Sequence, residues 1–419
     1  MKIVSILEYL PPYQGSDRSI YELLNHLKGN IEVIYIIIPP LRTLWEFNKL
    51  SLESNRFLYF YKFTYTKNSE KYDNVMRIKL PKSILKLWKK NIAISFLITT
   101  IYNFLTLFKF LSKTKFDLVI INHPSPSSGL IGFTVVKLLN KPFIMAYPDL
   151  ISDYAQNLIG TMSNGLINRI LKQIERILLL KSPRIFTVTE YLKKYLLSIK
   201  IKKEIIKVIS NGVDTTVFDA NINGNEIRKK YKLQEKFVVI YVGHIEKWAG
   251  IEDIIDCAKK LENDYISFLI VGDGNLRPKF EKEHRKNVIF TGLQPYNEVP
   301  KFIAASDAAI LTFPKTPTSY GASPLKLFEY MAMKKPVITT YIDGINEIIK
   351  NYKNGIVIQH NNINKLVKSI LWLKDNPDET EKLGKNGYQT IKNKFTWEVL
   401  SNILKKFCVK YLNDIYYSK

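Results

Sequence analysis

The residues best placed to do chemistry lie in one stretch, SYGASPLKLFEYMAMKKPVITT, from Ser319 to Thr340. Ser323 is a natural helix N-cap, because its hydroxyl can accept from amides that the first turn leaves unpaired. Pro324 follows at the first helical position, where its missing N–H costs nothing. The free amides and the helix dipole at such an N-terminus favour an anionic ligand. Glu329 is the one acidic residue inside this otherwise apolar and basic segment. The chemistry on offer is therefore recognition of an anion with a single carboxylate nearby.

The elements that must position these groups are legible around them. Leu325, Phe328, Met331 and Ala332 recur at helical spacing and predict a buried helix face. Lys334 and Lys335 sit where cations favour a helix C-terminus, and Pro336 stops the helix. Short apolar strands are expected at Ala308 to Phe313 and Val337 to Thr340. The resulting strand–helix–strand unit aims the helix N-terminus at the crevice beyond the strand ends.

The same rhythm runs through the chain. Strands are expected at Ile3 to Leu7, Glu32 to Ile38, Asp117 to Asn122 (ending at His123), Pro142 to Ala146 (ending before Asp149) and Arg184 to Val188. A helix from Ser19 to Leu27 follows a turn-rich loop, PPYQGSD, that contains Gly15. Asn211-Gly212 reads as a turn in a crossing segment, Ile205 to Phe218. The alternation then restarts with strands Phe237 to Val242, Ile266 to Val271 and Val288 to Phe290, and the tail from Trp397 to Tyr417 is helical in pattern. Alternation of this kind implies α/β architecture with parallel sheets covered on both faces. Glycine is scarce, 18 in 419 residues, yet it recurs at expected strand ends: Gly243, Gly272, Gly274, Gly292 and Gly344. Single glycines there are ordinary turn chemistry; their repetition points to a nucleotide-sized site.

A chain of 419 residues with 46% hydrophobic content is expected to make two globular domains. No low-complexity linker separates the halves, so the domains are expected to face each other over a shared cleft. The net charge of +24 suits anionic partners, although a general Lys- and Ile-rich composition accounts for it equally well. No nucleic-acid-binding pattern stands out, so no nucleic acid is expected as a partner. Cys257 and Cys408 form neither a disulfide framework nor a metal-ligand spacing, and no metal or cofactor is expected. Glu8 and the prolines interrupt the N-terminal apolar run, which reads as a first strand and not as a signal peptide. The uncharged run Asn91 to Phe108 contains several polar residues and has lysines at both ends. It predicts a buried or interfacial helix in preference to a membrane span. With the basic stretch Ser83 to Lys115, it suggests contact with an anionic membrane from the cytoplasmic side.

Taken in order, YVGHIEKWAGIEDIIDCA, VGDGNLRPKFE, NVIFTGLQPYNEVPKFIAASDAAILTF and SPLKLFEYMAMKKPVIT resemble successive blocks of the retaining GT-B enzymes of glycosyltransferase family 4. VISNGVDTTVF is similar to the family's interdomain segment and PPYQGSD to its first glycine loop. The resemblance implies two Rossmann-like domains, residues 1–205 for the acceptor and 206–395 for a nucleotide-sugar donor. A terminal helix, 396–419, would pack back on the first domain. It implies transfer from a UDP- or GDP-sugar to a glycan or lipid-linked acceptor, with retention by front-face attack. Glu329 would bind the ribose and Leu293 would lie at the base. The backbone of Ala322, Ser323, Pro324 and Leu325 would face the diphosphate or the sugar, with Gly15 closing on the phosphates and the strand-end Gly272 a further donor-site candidate.

Three positions depart from the family pattern. His244 and Ala249 replace its usual basic residues, for which Lys247 and Lys326 are the available substitutes, and Gly321 stands where its first paired glutamate falls. In the first domain the resemblance places His123 and Asp149 at the acceptor, to orient its hydroxyl or take its proton; a capping role fits either residue as well. The departures also leave open a GT-B protein that binds nucleotide or glycan without catalysing, and a nucleotide-sugar epimerase is a further alternative.

Overall fold

The computed structural model describes residues 1–8, 15–38, 75–78, 80, 83–84, 92–125, 127–150, 165–262, 265–283 and 285–417. The chain divides into two compact units. Unit 1 comprises Met1–Val188, Leu192–Ile209 and Ser401–Lys419; unit 2 comprises Thr189–Tyr191 and Ser210–Leu400.

In unit 1 the strands are β1 (Lys2–Leu7), β2 (Glu32–Ile37), β3 (Val75–Arg77), β4 (Leu118–Asn122), β5 (Phe143–Tyr147), β6 (Ile185–Thr187) and β7 (Ile206–Val208). Its helices are α1 (Gly15–Asn25), α2 (Ile92–Lys113), α3 (Ser128–Leu138), α4 (Gly165–Leu180) and most of α5 (Glu190–Ser198). The sheet order is β3-β2-β1-β4-β5-β6-β7, all parallel. β4 and β5 are buried along their whole length, which is why they read as unbroken apolar runs and not as alternating ones.

Unit 2 contains α6 (Asn225–Lys230), β8 (Phe237–Val242), α7 (Ile251–Lys260), β9 (Ile266–Val271), α8 (Arg277–Glu281), β10 (Val288–Gly292), α9 (Val299–Ala304) and β11 (Ala308–Leu311). There follow α10 (Pro317–Tyr320), α11 (Leu325–Ala332), β12 (Val337–Thr340), α12 (Asp343–Asn346), β13 (Ile356–Ile358), α13 (Ile363–Asp375) and α14 (Pro377–Lys394). The last helix, α15 (Trp397–Tyr417), enters unit 1 from Ser401. The sheet order is β10-β9-β8-β11-β12-β13, again parallel. Two cores cover its faces and show the strand period of two. Val238, Ile240, Leu269 and Leu311 pack with α11, whereas Val239, Tyr241, Phe268 and Ile310 pack with α7 and α13.

Several local expectations are corrected. Ser323 does not cap the helix: Pro324 is the N-cap, with extended backbone and no side-chain capping bond. The reason is that the Ser323 carbonyl is taken by Asn211 Nδ2 at 2.6 Å, which fixes Ser323 outside the helix. Consequently Asn211-Gly212 is no simple turn. Asn211 reaches the α11 entry, and a Cβ on Gly212 would meet Leu400 and the Phe395 carbonyl. α11 ends at Ala332 with no basic residue in its last turn, and Lys334 adopts a left-handed φ of 57°. Lys335 Nζ donates to the carbonyls of Ala304, the last residue of α9, and of Ser306 just beyond it. α1 begins at Gly15 and not at Ser19, so Gly15 opens the helix and does not sit in the loop before it. The loop residues 11–14 and most of the stretch from Leu41 to Lys82, read as irregular, lie outside the described residues, as do Lys86, Lys89 and Lys90.

The apolar run does form a helix, α2, with its polarity inverted. Ser95, Thr99 and Asn103 face the protein with Leu107 and Leu111, while Ile94, Leu97, Ile101 and Leu105 are about half exposed. By length and composition alone this helix could cross a membrane.

Candidate active site

In unit 2 the carboxyl ends of β8, β9 and β10 are drawn together by glycine. Gly243 N donates to Val271 O at 2.9 Å and Gly272 N to Gly292 O at 3.0 Å. Gly243 and Gly272 have φ of 149° and 141°, and a Cβ on Gly272 would collide with the Gly243 carbonyl. Only glycine permits that approach. A Cβ on Gly243 would in turn strike the ammonium of Lys326. Lys326 comes from the first turn of α11, and its Nζ lies 4.3 Å from the centroid of the Tyr241 ring and 3.3 Å from Tyr241 Oη. Tyr241 Oη donates to His244 O at 2.8 Å. Burial pushes the Lys326 ammonium down to about 8, against the opposing pull of Glu329. His244 is lowered first by desolvation and then by the Lys326 charge.

One turn along α11, Glu329 is buried. At the helix entry Ser323 is 7% exposed, and its Oγ is buried without a hydrogen-bond partner. The first-turn amides of an α-helix have no intrahelical acceptor, and no side chain caps these. A buried hydroxyl, open amides and a part-buried ammonium thus converge at the α11 N-terminus. That is the chemistry of a phosphate site.

In unit 1 the corresponding ends are those of β1, β4 and β5. Glu8, just beyond β1, accepts from the hydroxyls of Ser125, Ser127 and Ser128 at 2.6, 2.5 and 2.9 Å, all on Oε1. Ser125 Oγ also accepts from Gly129 N at 3.1 Å, so the cluster sits on the first turn of α3. His123, just past β4, is buried with a left-handed φ of 67°. Burial lowers its imidazole to about 4, partly opposed by Glu8. Asn122 donates to Asp17 in the first turn of α1. Asp149 is exposed at its surface, yet the protein around its carboxyl raises it to about 7 through desolvation.

Residues 13–217 match the family model described as Glycosyltransferase Family 4, and residues 223–390 match that described as Glycosyl transferases group 1. The chain belongs to glycosyltransferase family 4. It is a glycosyltransferase of GT-B fold. An Escherichia coli relative, UDP-Gal:alpha-D-GlcNAc-diphosphoundecaprenol alpha-1,3-galactosyltransferase, is 25% identical over 333 residues, 76% of this chain and 80% of the relative. The capsular polysaccharide biosynthesis glycosyltransferase CapM of Staphylococcus aureus is 24% identical over 306 residues, 69% of this chain and 77% of the relative. Among solved structures, Anabaena HepE in complex with UDP superposes with a TM-score of 0.70 at 14% identity, covering 98% of this chain and 100% of that one.

Of the sequence-derived donor residues in this glycosyltransferase, unit 2 brings together Ser323, Pro324, Leu325, Lys326, Glu329 and His244, with Gly272 beneath them at the Gly243 turn. Gly321 is the C-cap of α10, and Ala322 connects it to the α11 entry. Leu293 follows β10 and is 70% exposed, a free apolar surface beside the strand ends. Lys247 is exposed, and among the described residues no hydrogen bond or ion pair ties it to Lys326. Of the two candidate substitutes, only Lys326 is built into the site. Among the described residues no three His, Cys, Asp or Glu side chains cluster as metal ligands. Sequence reasoning missed Glu8 and the serine cluster. The available signal was the run PSPSS directly after His123, where a strand gives way to an apolar helix.

Proposed function

We propose that this glycosyltransferase moves a hexosyl or N-acetylhexosaminyl group from a UDP- or GDP-sugar to a glycan or lipid-linked acceptor. The transfer retains anomeric configuration and serves a cell-surface polysaccharide or glycolipid. The observation that carries the donor assignment is the open α11 N-terminus, with the unpartnered Ser323 hydroxyl and the Lys326 ammonium beside it. The helix amides and Lys326 hold the diphosphate and stabilise the charge that develops as it leaves. Glu329 accepts from the ribose hydroxyls. In unit 1, Asp149 and the neutral His123 orient the acceptor hydroxyl, and the departing phosphate helps to take its proton. The lipid-diphosphate substrate in the E. coli relative's name, the capsular role in CapM's and the UDP in HepE support this class of donor and acceptor. No metal takes part in the reading, because the helix terminus and Lys326 supply the positive charge.

The same reading places the enzyme on the cytoplasmic face of a membrane, with the outward apolar stripe of α2 at the interface and its lysines toward anionic lipid. Vesicles containing anionic phospholipid should co-sediment the wild-type protein. A Leu97→Ser/Leu105→Ser variant should bind them at least threefold more weakly.

Thermal denaturation in the presence of UDP, GDP, ADP and their common sugars tests the donor. A ligand at a hundred times its Kd stabilises the fold by about 2.7 kcal/mol. UDP or GDP should raise Tm by several degrees, and a flat response to all three nucleotides defeats the donor assignment.

A further inference from the structure

Glu8 is a charged group of the unit 1 site that the proposed reaction does not use. β1 has β2 on one side and β4 on the other, so the carboxyl end of β1 lies at the topological switch point of the sheet. Open α/β sheets bind ligands there. Glu8 stands at that point, half-buried, with all three serine bonds on Oε1. Among the described residues no donor reaches Oε2. Three hydroxyl donors fix the carboxylate plane beside the positive end of α3. An ionised carboxylate can only accept hydrogen bonds. The group it presents therefore selects a hydroxyl and repels an anion.

We propose that Glu8 decides what the unit 1 site accepts: Oε2 takes a hydrogen bond from an acceptor hydroxyl, and the charge keeps phosphate off the α3 N-terminus. This rests on the assignment of the acceptor to unit 1 made above. Unit 1 carries its own anion where unit 2 leaves room for one, which directs the donor diphosphate to a single helix. The serine cluster is part of the device. Gly129 permits its tight turn, since a Cβ there would collide with the backbone of His123 and Pro124. Glu8→Gln removes the charge and keeps an oxygen for the serines, so it isolates the electrostatic part.

The test compares wild type, Glu8→Gln and Ser127→Ala in three measurements. UDP titration should give affinities within twofold of one another. Transfer of label from UDP-galactose, UDP-glucose and UDP-N-acetylglucosamine to extracted membrane lipid should need about tenfold more lipid for half-rate in Glu8→Gln, and twofold to fivefold more in Ser127→Ala. Titration with inorganic pyrophosphate should find one site in wild type and a second, weaker one in Glu8→Gln, a change that a purely structural role for Glu8 does not produce. A single pyrophosphate site in Glu8→Gln overturns the proposal, and so does an unchanged lipid requirement. If wild type binds no UDP, the donor assignment fails, and the pyrophosphate count still judges Glu8.

Discussion

Two helices of this molecule occupy the same place in their sheets and end in opposite ways. α3 follows β4, the neighbour of β1; α11 follows β11, the neighbour of β8. At the N-terminus of α3 the chain supplies an anion of its own, Glu8, and three serines to hold it. At the N-terminus of α11 it supplies none, and a buried hydroxyl is left without a partner. An unmet buried hydroxyl costs about 1–3 kcal/mol. In unit 2 that cost is retained, and a ligand phosphate can offset it. Similar topology thus provides two sites of opposite selectivity, and the difference lies in side chains at the strand ends.

The harshest way to break the comparison is to give α11 the anion that α3 has. Ser323→Asp places a carboxylate where the donor phosphate is proposed to bind. At about 4 Å and an effective dielectric of about 20, the repulsion is about 4 kcal/mol, or roughly a thousandfold in affinity. An acidic group at a helix N-terminus is itself stabilising by about 0.3–1 kcal/mol. UDP affinity should therefore collapse while Tm holds or rises. Ser323→Ala, which adds no charge, should cost less than about tenfold. Calorimetric titration that finds Ser323→Asp within tenfold of wild type would remove the phosphate from this helix.

How far the sequence discloses this contrast depends on the distance over which each feature is built. The strands β8, β9 and β12 and the helix α15 lie where their periodicity places them, because a buried strand or an amphipathic helix is a local pattern. The identity of α11 as an anion-ready helix is also local, in the Ser–Pro entry and the closing Pro336. What makes its entry open is not local. Ser323 is held out of capping position by Asn211, 112 residues away. Glu8 lies more than 115 residues from the serines that orient it, and nothing near Glu8 in sequence announces them. The direction of α2 was equally hidden. An apolar run broken by Ser95, Thr99 and Asn103 suggests that the polar residues face water, and in the folded chain they face inward. Lys326 could be named as a substitute cation, but its burial against Tyr241 and the Gly243 turn required the sheet.

A gentler probe sharpens the contrast by assigning one pH limb to each unit. Burial raises Asp149 in unit 1 to about 7 and lowers Lys326 in unit 2 to about 8. Asp149 must be ionised to engage the acceptor hydroxyl, so kcat/KM should rise as pH passes 7. Lys326 must be charged to hold the diphosphate, so kcat/KM should fall above 8, with each limb worth up to about tenfold per pH unit. His123, held near 4 by burial, is neutral across this range and contributes to neither limb. Asp149→Asn should lower the rate and flatten the acid limb alone. Lys326→Arg should carry the basic limb upward, because a guanidinium stays charged where a buried ammonium does not. Kinetics between pH 5.5 and 9.5 separate the two. An acid limb that survives in Asp149→Asn means that unit 1 does not meet the acceptor through that carboxylate, and a basic limb indifferent to Lys326→Arg removes Lys326 from the donor site.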